Sequence, residues 1–155
     1  MPKFPRIIAE NLNRDEIEIP SQLKGQFNVI IIAFQQWQQN LVDTWIPFLA
    51  ELIEKYPELD FYELPTIRKM NFVYRRFIDG GMRAGIRSIE TRGRTITLYI
   101  NKTPFKETLG IENEDTIHIF LVDRQGEIYW RREGAIDQEK AYSLGTKIDT
   151  LFEIL

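Results

Sequence analysis

The chain has 155 residues, 43% of them hydrophobic, no cysteine, and a formal net charge of −3. That length is one domain's worth and buries roughly 68–70% of the unfolded surface, so no disulfide or zinc staple is needed. The missing thiol excludes an intrachain disulfide, a cysteine nucleophile or peroxidase, and a cysteine metal site, while the net charge removes any global pull toward nucleic acid or anionic lipid.

From the start of the chain, Met1 to Asn13 shows neither the apolar run of a signal peptide nor the charge pattern of a transit sequence. No stretch reaches the roughly 18 apolar residues of a membrane helix. The expectation is therefore a cytoplasmic protein with no membrane span, folded as a single domain over residues 1–155, without internal repeat or linker.

Ile17 to Ile19 is a short alternating run, and Pro20 to Gly25 punctuates the chain. The continuous apolar segment Phe27 to Phe34, rich in β-branched residues and too short for a helix, predicts a strand covered on both faces at the centre of a sheet. Leu41, Trp45, Phe48, Leu49, Leu52, Ile53 and Tyr56 recur at helical spacing. Pro47 inside that stripe predicts either a kink or a regular helix that starts at the proline itself.

A second strand is predicted over Leu59 to Leu64, closed by Pro65, with a second helix from about Thr66. On that helix Met70, Val73, Tyr74 and Phe77 share one arc, and Arg68, Lys69, Arg75 and Arg76 another. Continuing through Gly80-Gly81 adds Arg83 and Arg87 to the basic arc; a break near Asp79 is the alternative, since each glycine costs about 1 kcal/mol relative to alanine. Thr95 to Ile100 predicts a third strand and Pro104 to Leu109 a helical turn. Ile117 to Val122 and Glu127 to Trp130 predict a hairpin whose Gly126 supplies the positive φ of the turn. Asp137 caps a last helix with the stripe Ala141, Leu144, Ile148, Leu151 and Leu155. The fold class is α/β, a mixed sheet with helices on both faces in the order β-α-β-α-β-α-β-β-α.

Ile19 to Phe34, Tyr99 to Ile111 with its Leu-Gly ending, and Ile119 to Ile128 with Asp and Gly bracketing the turn together resemble the thioredoxin-like fold in its peroxiredoxin-type arrangement. In that family the active cysteines lie between the first core strand and the first helix. Counted forward from Phe34 or backward from Pro47, they fall on Gln39 and Val42. The cis-proline that redox members carry before the hairpin strand is replaced by Asp115-Thr116. Trp45-Ile-Pro-Phe48, Gly93-Arg-Thr95, Leu121-Val-Asp123, Ile128-Tyr-Trp-Arg131 and Gly134-Ala135 further resemble the thioredoxin-like domain of a mitochondrial ATP synthase assembly factor. This resemblance implies a protein-binding, assembly or chaperone role without redox chemistry.

Charge is distributed unevenly. Residues 68–94 hold eight Lys and Arg against Asp79 and Glu90, a local charge of +6 against −9 for the rest. A face of Arg68, Lys69, Arg75, Arg76, Arg83 and Arg87 suits bidentate contact with carboxylate or phosphate, hence an acidic protein partner; the plain alternative is a solvated helix face partly offset by Glu112, Glu114 and Asp115. Trp37, Gln38, Gln39 and Val42 mark the vacated cysteine positions and any groove beside them. Trp45 fits core packing, whereas Trp37 fits surface contact or packing equally.

His118 is the only histidine, set between Ile117 and Ile119, and no spacing joins it to Ser21, Ser88 or Ser143 as a triad. The acidic residues lack metal-ligand spacing, so neither a metal nor a cofactor is expected. The leading expectation is a redox-inactive, non-enzymatic protein-binding factor. The alternative is a small-ligand protein or non-thiol enzyme using the former active-site cleft, where Gln35, Gln36, Gln38, Gln39 and Asn40 offer amide hydrogen bonds. A pocket reaching Gln39 favours that alternative.

Overall fold

Ile7, Ile8 and Ala9 on one side of a short turn, and Ile17 and Ile19 on the other, form a first hairpin. Strands β1 (Ile7–Glu10) and β2 (Glu16–Ile19) pair antiparallel, Ile7 opposite Ile19 and Ala9 opposite Ile17. The computed structural model describes residues 3–68, 72–85 and 88–154. The main sheet contains β3 (Phe27–Ala33), β4 (Leu59–Arg68), β5 (Leu98–Ile100), β6 (His118–Asp123) and β7 (Ile128–Glu133) in the order β5-β4-β3-β6-β7. β4 is parallel to both β3 and β5, while β6 is antiparallel to β3 and β7. The apolar run is thus the central strand, and Ile30, Ile31 and Ile32 are fully buried.

The period-2 alternation of β3 feeds two cores. Ile30 and Ile32 pack with Tyr62, Leu64, Phe120 and with Leu109 of α5 (Lys102–Leu109). Val29 and Ile31 pack with Trp45, with Leu49 of α2 (Ile46–Lys55), and with Leu144 and Ile148 of α6 (Gln138–Ile154). Helices therefore cover both faces, giving the mixed α/β arrangement expected, with a hairpin in front. The first two helical regions are each divided: α1 (Gln39–Asp43) precedes α2, and α3 (Phe72–Gly85) precedes α4 (Ile89–Arg94).

Prolines and glycines account for most differences in boundaries. Pro47 lies in the first turn of α2, where its missing N–H leaves no helical bond unmade. Pro65 does not close β4. It shares parity with Glu63, whose carbonyl accepts from Ile96 N at 2.9 Å, so the missing donor faces the short edge strand β5, not the centre of the sheet. Consequently the helix does not begin at Thr66: Thr66, Ile67 and Arg68 pair with Leu98, Tyr99 and Ile100 as strand. Arg68 ends a strand and belongs to no helical arc. Gly126 adopts φ 89°, and Asp123 Oδ1 accepts from Gln125 N and Glu127 N at 3.0 Å each, closing the β6–β7 turn. Asp137 caps α6 through Lys140 N at 2.8 Å.

α3 runs through both glycines, the longer of the two readings of that helix. A Cβ at Gly80 or Gly81 meets nothing within 4 Å. Gly80→Ala and Gly81→Ala are each expected to stabilise the chain by about 1 kcal/mol. Chemical denaturation checks this; a lower midpoint in either variant contradicts an open helical environment there.

Candidate functional site

The connection leaving β3 is held by an amide. After Phe34 the chain makes a 3-10 turn, Gln36–Gln38, before α1. Gln38 is fully buried: its Oε1 accepts from Phe34 N at 2.8 Å and Gln35 N at 3.2 Å, and its Nε2 donates to the Glu114 carbonyl at 2.7 Å. A buried polar group is tolerated only when its bonds are made, and this one makes them across 76 residues of chain. Gln38 thus ties the β3–α1 turn to the loop before β6 instead of lining a groove.

The neighbouring positions divide between surface and core. Trp37 is 57% exposed, which settles its orientation toward solvent. Gln39 is exposed and donates from Nε2 to Asp43 Oδ1 at 2.9 Å, one helical turn on. Val42 is 2% exposed and packs in the α2/α6 core. Trp45 is fully buried, its Nε1 donating to the Gly134 carbonyl at 2.9 Å and its ring edge-to-face with Trp130.

Beside Gln39 opens a cleft of about 450 Å³, lined by Asp43, Ile46, Phe61, Glu63, Met82 and Arg94 among others. Its residue of greatest chemical interest, Glu63, was not singled out from the sequence. Glu63 shares strand parity with Leu59 and Phe61, both core residues beneath α2, and is only 9% exposed. Burial, with a smaller contribution from the Asp43 charge, pushes its carboxyl up to about 7, against a lowering hydrogen bond from Gln39. The available signal was a carboxylate on the apolar parity of a strand flanked on both sides. At the rim, Arg94 Nε bonds Asp60 Oδ1 at 3.2 Å, and its guanidinium lies 4.8 Å over the Phe61 ring.

The basic residues do not form one described face. Arg68 ends β4, Arg76 pairs with Glu10 of β1 at 2.9 Å, and Arg92 and Arg94 belong to α4. Lys69 and Arg87 lie outside the described residues, as do the side chains of Arg75 and Arg83. Glu114, expected to offset the arginines, is instead gripped by Lys102 at 2.7 Å and Lys106 at 2.8 Å, whose hydrogen bonds hold its carboxyl below the usual range.

His118 is buried, with Nε2 3.0 Å from the Asn113 carbonyl and Nδ1 3.3 Å from Glu133 Oε1; burial lowers its pKa. The serines have other uses. Ser143 Oγ accepts from Trp130 Nε1 and Arg132, and Ser88 Oγ caps α4 through Thr91 N. These bonds direct both hydroxyls to structural partners.

A family model described as ATP10 protein matches residues 2–151. Solved structures show the thioredoxin-like fold. BsSco, a member of the Sco family of cytochrome c oxidase assembly proteins, is 9% identical with TM-score 0.61, covering 96% of this chain and 92% of its own. The exposed lipoprotein thioredoxin of Streptococcus pneumoniae is 12% identical with TM-score 0.58, covering 94% and 99%. The thioredoxin domain of a thiol-disulfide oxidoreductase from Bacteroides vulgatus is 16% identical with TM-score 0.55, covering 94% of each chain. At these identities the likeness is one of fold. No curated protein matches the chain. No helix among the described residues is long and apolar enough to cross a membrane.

Proposed function

Because the chain belongs to the ATP10 family of ATP synthase assembly factors, we propose that it acts during ATP synthase assembly by binding a polypeptide, as one thioredoxin-like domain and without redox turnover. The observation carrying this reading is the former active-site region itself. Gln39 and Val42 cannot form a dithiol, Gln38 locks the turn, and the space beside them is an open cleft with apolar walls and an exposed Trp37 at the adjoining turn. Exposed aromatic surface next to a concave apolar site suits protein recognition. The +6 charge of residues 68–94 supports an acidic stretch in the partner. The family is associated with mitochondria, which leaves the cytoplasmic location expected from the sequence without support.

Removing the protein from its cell is expected to lower fully assembled ATP synthase on native gels and to leave unassembled subunits. A photo-crosslinker replacing Trp37 is expected to capture one of those subunits. Normal assembly in the deletion overturns the reading.

The cleft at Gln39 also favours a second reading, a small-ligand protein, because its volume lies in the usual range for ligand pockets. Saturable binding of a free small molecule, with ATP synthase assembly unaffected by deletion, would select it.

A further inference from the structure

The cleft combines features that together specify a ligand chemistry. One wall is apolar, built from Phe61 of β4, Ile46 at the start of α2 and Met82 of α3. Next to it stands a pair of carboxylates, Glu63 and Asp43, both beside the Gln39 amide, which donates to Asp43. The basic side chain at the rim, Arg94, is already paired with Asp60 and stacked on Phe61. Among the described residues no basic side chain pairs with Glu63 or Asp43. A buried carboxylate is costly in its ionised form unless a cation faces it, and a cation that arrives with its own aliphatic stem satisfies both the charge and the apolar wall.

We propose that this cleft receives a lysine side chain of the partner polypeptide, with the ammonium between Glu63 and Asp43 and the four-carbon stem against Phe61, Ile46 and Met82. The volume, about 450 Å³, leaves room for an apolar residue flanking the lysine. The inference rests on the reading of this protein as polypeptide-binding and adds the residue class that the partner presents.

The test titrates the full chain with Ac-Ala-Leu-Lys-Leu-Ala-amide, its norleucine counterpart, and n-butylamine, following amide chemical shifts of residues 39–46 and 61–63. The lysine peptide is expected to bind at least about tenfold more tightly than either other probe. Glu63→Gln and Asp43→Asn, each first shown to be folded by circular dichroism, are expected to weaken the lysine peptide about tenfold and to leave the norleucine peptide unchanged. No saturable lysine binding, equal affinity for norleucine, or no loss in both variants overturns the proposal; equal affinity for n-butylamine reassigns the cleft to a free amine and overturns it too. ATP synthase assembly in cells carrying Glu63→Gln separates the two levels. Normal assembly together with failed peptide discrimination removes the lysine site and leaves the assembly reading standing, whereas normal assembly in the deletion removes the assembly reading itself.

Discussion

Glu63→Gln is expected to stabilise the folded chain by roughly 3 kcal/mol at pH 8 and by almost nothing at pH 4. The Glu63 carboxyl titrates at about 7 in the folded chain, against 4.5 for an ordinary glutamate. Below the unfolded value both states hold the proton and nothing is lost. As pH rises from 4.5 toward 7 the unfolded chain releases its proton first, so the folded state falls behind until it ionises as well. Above 7 the deficit is constant. A neutral amide of the same shape removes it, and its carbonyl oxygen still accepts from Gln39. Urea denaturation of both proteins at the two pH values decides the matter; equal differences at pH 4 and pH 8 would show that the gain does not come from ionisation. A carboxylate that lowers stability at the pH of use is the kind of residue retained at binding sites, where a ligand of opposite charge restores what folding loses.

Gly25→Ala is expected to destabilise the chain by about 3 kcal/mol or more. A Cβ at Gly25 would stand 2.4 Å from the Phe27 carbonyl oxygen, 2.6 Å from Asn28 Oδ1 and 2.8 Å from Asp60 N. Two of these atoms are backbone of β3 and β4 and cannot swing aside. The third belongs to a lock: Gly25 N donates to Asn28 Oδ1 and Asn28 Nδ2 donates to the Gly25 carbonyl, both at 2.9 Å, with Asn28 fully buried. Widening the gap breaks bonds that no water replaces. It also moves Asp60, which holds Arg94 at the rim of the cleft. A midpoint of chemical denaturation within the range of an ordinary surface substitution, about 0.5 kcal/mol, would contradict this packing.

These residues show where sequence reasoning worked and where it ran out. The apolar run Phe27 to Phe34 identified the central strand because both of its faces are covered, but the same pattern hid Asn28, whose partners are set by a loop turning back on itself. Turn chemistry was legible: Gly126 and Asp123 act locally, and Asp137 caps the helix that follows it. Pro65 and Thr66 were misread because a proline stops a strand only where its N–H is needed, and that depends on which neighbour it faces. The strand Ile7–Glu10 escaped because four residues give too short a period. At the site, counting from Phe34 and Pro47 located Gln39, which does line the cleft. Glu63 and Arg94 come from β4 and α4, and only the tertiary arrangement brings them to Gln39.

The strand order carries a consequence for synthesis on the ribosome. Val29 pairs with Leu121, so one edge of the central strand waits until β6 has been made. At roughly 5–20 residues per second that wait lasts several seconds or longer. Throughout it, Phe27 to Phe34 offers an uncharged, β-prone edge to any neighbouring chain, the combination that drives intermolecular pairing. A member of an assembly-factor family is thus itself exposed to misassembly while nascent, and crowded polysomes are where that risk is greatest.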